Sequence, residues 1–527
     1  MMRKRNVMAA AVAALMAVVA LVGGAGHSIA KEKPAVKHII LFIGDGMQLE
    51  HEIATSRYLY GSDYGLAFHR LPYRGHATTW DVSTYDGYAN VEGASLYTPS
   101  ALVPGLGYNP NRGGKRPFPL DRSRIDDGYF LNPRFATDSA SAGTALATGH
   151  KTVDGNIAWR AGEPDATGRR TDPADGALKT IAERLREEKG FAIGVVSTVP
   201  FSHATPAAFV SHNPSRNNYY AIADEIIRTV RPEVVIGGGH RSFSTSYLSE
   251  ILYNDAKNSA LGEYVFVERE AGKDGGASLL IAAETAKSLN KKLFGLFGGS
   301  GGNFEPPVPA DMPGMPQVNR ATVENPLLKD ATLAALEVLS SDEDGFFVMI
   351  EQGDIDWANH ANDYAWMIGT TWDLHEAVKA ALQFVERPGD DIDWSNTLLL
   401  VTSDHGNSYM RLNNAARLEP GDLPAQVVKP AGYVCPSGSY CGTYLYPDDE
   451  VSYGTGSHTN ELVTVYAKGN GARHLKEYEG AWYPCTTIID NTQLFHAMTD
   501  AAGMTLVSPL KAILKRPVVC SPSSSGN

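Results

Sequence analysis

The chain has 527 residues and a formal net charge of −13, with 43% hydrophobic and 20% charged residues. That supplies a large core, and this length points to one large domain with insertions or to two intimately joined ones. Without a long apolar run beyond the N-terminus a bundle of membrane spans is excluded, and the acidic balance argues against a specific nucleic-acid surface.

Arg3-Lys4-Arg5, an apolar stretch from Val7 to Val22 and the small-residue site Ser28-Ile29-Ala30 read as a secretory signal peptide over residues 1–30. Its removal takes away three basic residues, leaving 43 against 59 acidic ones, a net of −16. The expected location is periplasmic or secreted, with no membrane span after cleavage. Residues 31–520 are read as a single catalytic domain and residues 521–527, rich in Ser, as a disordered tail.

Short apolar segments follow at His38 to Ile43, Phe191 to Ser197, Glu233 to Ile236, Phe346 to Ile350, Thr397 to Thr402 and Leu462 to Ala467. They read as buried parallel strands, and Gly176 to Lys189 and Asp373 to Val385 read as helices between them. The alternation predicts an α/β fold, a three-layer sandwich with a mostly parallel central sheet and helices on both faces. Residues 80–135, 298–326 and 408–457 read as inserted loops over the site. All four cysteines lie late in the chain, and of three pairings proximity favours Cys435–Cys441 and Cys485–Cys520.

Polar clusters fall where these segments end: Gly44-Asp45-Gly46, Ser202-His203-Ala204-Thr205, Glu351 to His360, and Ser403-Asp404-His405, with Ser457-His458 just before the last strand. In an open α/β sheet, ligands bind beyond the carboxyl ends of the strands. Asp356 and His360 are four apart, so a helix there puts both on one face, able to share a metal. Asp404, His405, His458 and Asp45 add further ligands. Mixed His and carboxylate donors suit zinc and oxygen donors alone suit magnesium, which implies two kinds of site.

Thr137-Asp138-Ser139-Ala140 opens a run of small residues suited to a closely packed helix. Ser139 there would face the positive end of the helix, which suits a phosphate. Taken alone, Asp138 or Ser139 is equally a helix cap. A P-loop is rejected, because six residues separate Gly143 from His150 and His150 interrupts the Gly-Lys pair. No His-Asp pair is placed by sequence to act as base for Ser139, whereas coordination to a metal would deprotonate it.

In order and spacing, these markers resemble the alkaline phosphatase family over nearly the whole mature chain: Phe42 to Met47, Thr137 to Ala140, Thr148 to Thr152, His203 to Ala208, Glu351 to His360, Thr402 to Gly406 and His458. The resemblance implies hydrolysis of phosphate monoesters to alcohol and inorganic phosphate through a phosphoserine on Ser139. It implies two Zn2+ and one Mg2+ per chain: Asp356, His360 and His458 for the first zinc; Asp45, Asp404 and His405 for the second, with Ser139 coordinated as nucleophile; Asp45, Thr205 and Glu351 for magnesium. Arg216 is implied to grip phosphate oxygens, Asp138 to border the substrate and His203 to stand behind the third metal. His203 and Trp357 occupy positions that vary in the family, which leaves the third metal open. The expected partners are small phosphorylated substrates, with a homodimer as one open assembly. The rivals are a phosphodiesterase, a sulfatase and a phosphate-binding protein. The magnesium trio argues against the first, Ala140-Ser141-Ala142 after Ser139 against the second, and the metal ligands against the third.

Overall fold

The computed structural model of the protein describes residues 35–117, 127–132, 135–413, 417–436 and 440–504. The expected signal peptide, the tail and Cys520 lie outside them, so the Cys485–Cys520 pairing does too; Cys435 and Cys441 are bonded to each other. Among the described residues no helix is long and apolar enough to cross a membrane.

Ten strands build the central sheet: β1 (His38–Gly44), β2 (Tyr73–Thr78), β3 (Ala192–Pro200), β4 (Val234–Gly238), β5 (Tyr264–Glu268), β6 (Lys292–Leu296), β7 (Phe346–Gln352), β8 (Thr397–Thr402), β9 (Val463–Gly469) and β10 (Ile488–Asp490). Their order is β10-β2-β9-β8-β1-β7-β3-β4-β6-β5. The helices that matter are α1 (Leu49–Tyr60), α2 (Ser139–Thr148), α3 (Ile181–Lys189), α4 (Ala204–Val210), α5 (Tyr219–Asp224), α6 (Gly275–Ser288), α7 (Leu328–Leu339), α8 (Asp354–Ala361), α9 (Tyr364–Val385) and α10 (Asn491–Ala501).

Alternation along β1 sorts the helices into two layers. Ile39, Leu41 and Ile43 pack into one core with residues of α2, α3, α4 and α10. Ile40 and Phe42 pack into another with residues of α6, α7 and α9. A strand whose successive side chains are all apolar is buried on both faces, which gives the expected three-layer α/β sandwich.

The segment Leu462 to Ala467 departs from expectation. It forms β9, which runs antiparallel to both β8 and β2, whereas the other sheet pairings are parallel. An apolar run fixes burial but carries no sign of direction. The helices also start elsewhere than the patterns suggest. α3 begins after Thr180, whose hydroxyl accepts from Glu183 N while the Glu183 carboxylate accepts from Thr180 N, a reciprocal cap. α9 begins nine residues before Asp373, capped by Asp363. The three expected loops hold local order: residues 80–135 carry a helix at Val82–Glu92 capped by Asp81, residues 298–326 a hairpin pairing Val308–Pro309 with Val318–Asn319, and residues 408–457 two short antiparallel pairings.

Lys151, in the Gly-His-Lys-Thr run, has a structural place. Its ammonium is buried 2.5 Å from Trp80 O, 2.6 Å from Asn491 Oδ1 and 2.9 Å from Asp490 Oδ2 at the start of α10. Lys151→Met strands a buried carboxylate and is expected to cost about 3–5 kcal/mol, read as a lower denaturant midpoint. An unchanged midpoint would contradict this.

Candidate functional site

Register brings the polar clusters to one edge. Ile43 of β1 is level with Glu351 of β7 and Thr402 of β8, and Ser197 of β3 is also level with Glu351. Asp45 and Asp404-His405 therefore emerge side by side from adjacent strand ends, with Glu351 behind them. The reversal of β9 completes the group, because the segment entering an antiparallel strand lies where its parallel neighbours leave. His458 precedes β9 at that edge and pairs with Asn407, as Thr459 does with Gly406.

Gly46 is required at the crossing. Its φ is +65°, and a Cβ there would meet Asp356 Oδ1 at 2.8 Å. Its amide donates to Asp404 Oδ1 at 3.1 Å, and Met47 N donates to Ser403 Oγ at 2.9 Å. These bonds tie the loop after β1 to the loop after β8.

Asp356 and His360 lie on one face of α8, as their spacing predicts, with Asp356 Oδ2 3.3 Å from His360 Nε2. His458 Nε2 is 3.3 Å from Asp356 Oδ1 and 3.1 Å from His360 Nε2. In the second trio, His405 Nε2 is 3.3 Å from both Asp45 Oδ1 and Asp404 Oδ2. Within each trio the ligand atoms lie within 4.8 Å of one another. The second trio is fully buried, whereas His360 is exposed and His458 partly so.

Three observations fit these trios to cations. All three imidazoles turn Nδ1 to a backbone carbonyl, His360 to Gly456 O at 2.7 Å, His458 to Thr137 O at 2.8 Å and His405 to Gly406 O at 3.3 Å. A carbonyl only accepts, so each Nδ1 bears the proton and each Nε2 offers a lone pair. Secondly, Asp45 Oδ1 and Asp404 Oδ2 are buried without a hydrogen-bond partner, as are Thr205 Oγ1 and Glu351 Oε1. Thirdly, the carboxylates burden one another. Burial, and then the charges of Asp404, Asp356 and Glu351, push Asp45 well up. Burial lifts Glu351 to about 8 and Asp404 to about 6. Burial would raise Asp356 as well; only positive charge at the His360 and His458 Nε2 atoms would hold it well below the carboxylate range, a charge that a bound cation supplies where those atoms are lone-pair donors. Uncompensated carboxylates at this depth call for positive charge.

Ser139 is the first residue of α2, and Asp138 caps it, accepting from Ser141 N at 2.9 Å. The two readings of this segment thus hold for different residues: Asp138 is the cap and Ser139 is presented by it. The small residues permit close packing, since a Cβ on Gly143 would meet Ala208 Cβ of α4 at 3.1 Å. Ser139 Oγ lies 3.1 Å from His405 Nε2. Burial, then the nearby His458, hold His405 well below its ordinary value, so the ring is neutral and its Nε2 accepts a hydrogen bond from the hydroxyl.

Arg216 comes to the same place. Its Nη1 donates to Asp138 Oδ2 at 2.9 Å, and its backbone N to Gly155 O at 2.7 Å. The Asp138 carboxylate is held low: burial would raise it, and the Arg216 charge together with hydrogen bonds from Ser141 and Arg216 outweighs burial. His203 is buried at the start of α4 with Nδ1 unpartnered; burial, then Arg216, pull it down to about 3. Two contacts escape the sequence reading. Ser197 Oγ donates to Glu351 Oε2 at 2.5 Å, and Asn407 Nδ2 to Asp356 Oδ1 at 2.6 Å. Asn407 follows the Asp404-His405-Gly406 run and was within reach of that signal; Ser197 is one polar residue inside an apolar strand. His150, His240 and His375 lie outside both trios and bond to Thr148 O, Glu268 and Ala67 N respectively.

Residues 122–420 match the family model described as alkaline phosphatase. The chain belongs to the alkaline phosphatase family. It is 32% identical over 274 residues to alkaline phosphatase 3 of Bacillus subtilis, covering 51% of this chain and 49% of that protein. It is 28% identical over 511 residues to the alkaline phosphatase of Escherichia fergusonii, covering 90% of this chain and 87% of the relative. The chain thus spans about half the length of the first and most of the second. The crystal structure of Thermus thermophilus alkaline phosphatase superposes with a TM-score of 0.56 at 21% identity, over 92% of this chain and 96% of that one, which shows the shared fold. Membership in the family places the chain among metal-dependent phosphoric monoester hydrolases.

Proposed function

We propose that the protein hydrolyses phosphate monoesters through a phosphoserine on Ser139, at a site of two Zn2+ and one Mg2+. The observation that carries this reading is the Ser139 hydroxyl, seated at the start of α2 and bonded to His405, between two His and carboxylate trios and the Asp138-anchored Arg216. Asp356, His360 and His458 form one zinc set, Asp45, Asp404 and His405 the other, and Asp45, Thr205 and Glu351 an oxygen-only set suited to magnesium. Bound there, such ions supply Lewis-acid stabilisation of the entering and leaving oxygens.

The chain's own groups do the rest. Ser139 Oγ is held at the positive end of α2, which favours its alkoxide and the incoming phosphate alike. Arg216, with one arm fixed on Asp138, turns its remaining N–H groups to phosphate oxygens, neutralising charge as the phosphoryl group transfers. Water then cleaves the phosphoserine and regenerates the hydroxyl. The exposed edge of the His360 trio is where the alcohol departs. The N-terminal thirty residues support export, with periplasmic or secreted action on small phosphorylated substrates.

Side-by-side assay of a phosphate monoester, a diester and a sulfate ester tests the reaction class: the monoester should be turned over fastest, and faster diester turnover would sink the proposal. Arg216→Ala should lower kcat/KM about 10- to 100-fold, the worth of one or two charge-assisted bonds. Arg216→Lys, which keeps charge but loses the fork, should recover only part. Full recovery by lysine would refute two-point phosphate binding.

A further inference from the structure

Ser139 and Arg216 come from separate segments, and one turn lying between them in the chain bonds to both segments. Asp154 Oδ1 accepts from Asp138 N at 3.1 Å, and Gly155 N donates to Asp138 Oδ2 at 3.0 Å. Gly155 O in turn accepts from Arg216 N at 2.7 Å. Asp138 Oδ2 thus receives Gly155 N and Arg216 Nη1 together, while its Oδ1 receives Ser141 N and caps α2. A planar fork held by one arm is aimed only as well as its acceptor is, and the turn holds that acceptor from the side opposite α2.

The turn is itself braced from two directions. Ile157 N donates to Asn213 O at 2.9 Å and Asn213 N to Ile157 O at 2.8 Å, which fastens the chain after the turn to the loop carrying Arg216. On its other side Asp154 N donates to Ser83 Oγ at 3.0 Å, and Val82 N donates to Thr152 O at 2.8 Å, which moors the turn to the helix at Val82–Glu92. Gly155 has φ +83°, a left-handed conformation in which a side chain is strained even though the space around it is open.

We propose that the Asp154-Gly155 turn is a positioning element that aims the Arg216 guanidinium at the phosphoryl group on Ser139, Asp154 acting through Asp138 and not on the substrate. It rests on the reading of Arg216 as the group that grips phosphate. Loss of aim by about 1 Å costs up to about 100-fold in rate, so a residue that serves only to aim can weigh nearly as much as the one it serves.

Asp154→Ala should lower kcat/KM for a phosphate monoester about tenfold and weaken inhibition by inorganic phosphate by about the same factor, because both report on the guanidinium. Asp154→Asn, which keeps a carbonyl oxygen for Asp138 N, should stay within about twofold of the wild type. In an Arg216→Ala background Asp154→Ala should cost no more than about a further twofold, since nothing is left to aim, whereas a merely structural role would multiply the two losses. Undiminished kcat/KM in Asp154→Ala, a loss in Asp154→Asn as large as in Asp154→Ala, or multiplied losses in the double variant overturns the positioning role and leaves Arg216 standing. An Arg216→Ala protein as active as the wild type overturns the reading of Arg216 beneath it.

Discussion

Ser139→Ala should abolish the covalent phosphoenzyme and lower kcat/KM by at least about 10³-fold, as loss of a nucleophile does. Acid quench with phosphate-labelled substrate traps label on the wild-type chain and none on the variant. The substitution removes one oxygen at the buried start of α2, 3.1 Å from His405 Nε2, and leaves the Asp138 cap intact. Stability should therefore hardly change, and an unaltered thermal midpoint guards against reading a folding defect as a chemical one. Label surviving in Ser139→Ala would mean that another group carries the phosphoryl group.

Removal of divalent ions should be as damaging. Exhaustive chelation is expected to reduce monoester turnover by at least about 10³-fold, because Lewis-acid stabilisation of both oxygens and most of the positive charge are lost together. Zinc with magnesium should restore it. The two trios should part with their ions unequally, since Asp45, Asp404 and His405 are buried while His360 is exposed. Metal content followed against chelator concentration should fall in two steps, the outer set first. The hydrogen bond from Ser139 to His405 offers a rival in which the imidazole alone serves as base. That rival predicts activity indifferent to chelation, and such a result would sink the metal mechanism.

Much of the scaffold was legible because strands buried on both faces are written as largely apolar runs. β1, β3, β4, β7, β8 and β9 were all readable on that basis. β2, β5, β6 and β10 were not. β2 carries Arg74, Gly75 and His76 in its middle, β5 is a half-buried edge strand, β6 is interrupted by Gly295, and β10 has three residues. The candidate ligands were legible for a related reason: Asp45, Asp404 and His405 follow apolar runs, where a buried polar residue is otherwise unexplained, and Asp356 and His360 carry helical spacing. Arg216 stood in an ordinary polar loop, and only its resemblance to a family position singled it out. Its bond to Asp138 joins residues 78 apart, a separation over which local pattern carries no information.

What the sequence placed by itself is the kind of chemistry available: His and carboxylate side chains at strand ends, a serine beside an aspartate at a helix start, and a sheet to carry them. What only the tertiary structure decided is which of these meet. The direction of β9 puts His458 at the site edge, the register of β1 with β7 and β8 sets Asp45, Glu351 and Asp404 level, and the convergence of three separate segments brings Tyr219, Tyr247 and Trp357 around His203. Apolar runs and helical spacing arise from neighbours within a few residues along the chain and can be read there. Strand direction, register and loop convergence arise from contacts between distant segments, and they exist only once the sheet has formed.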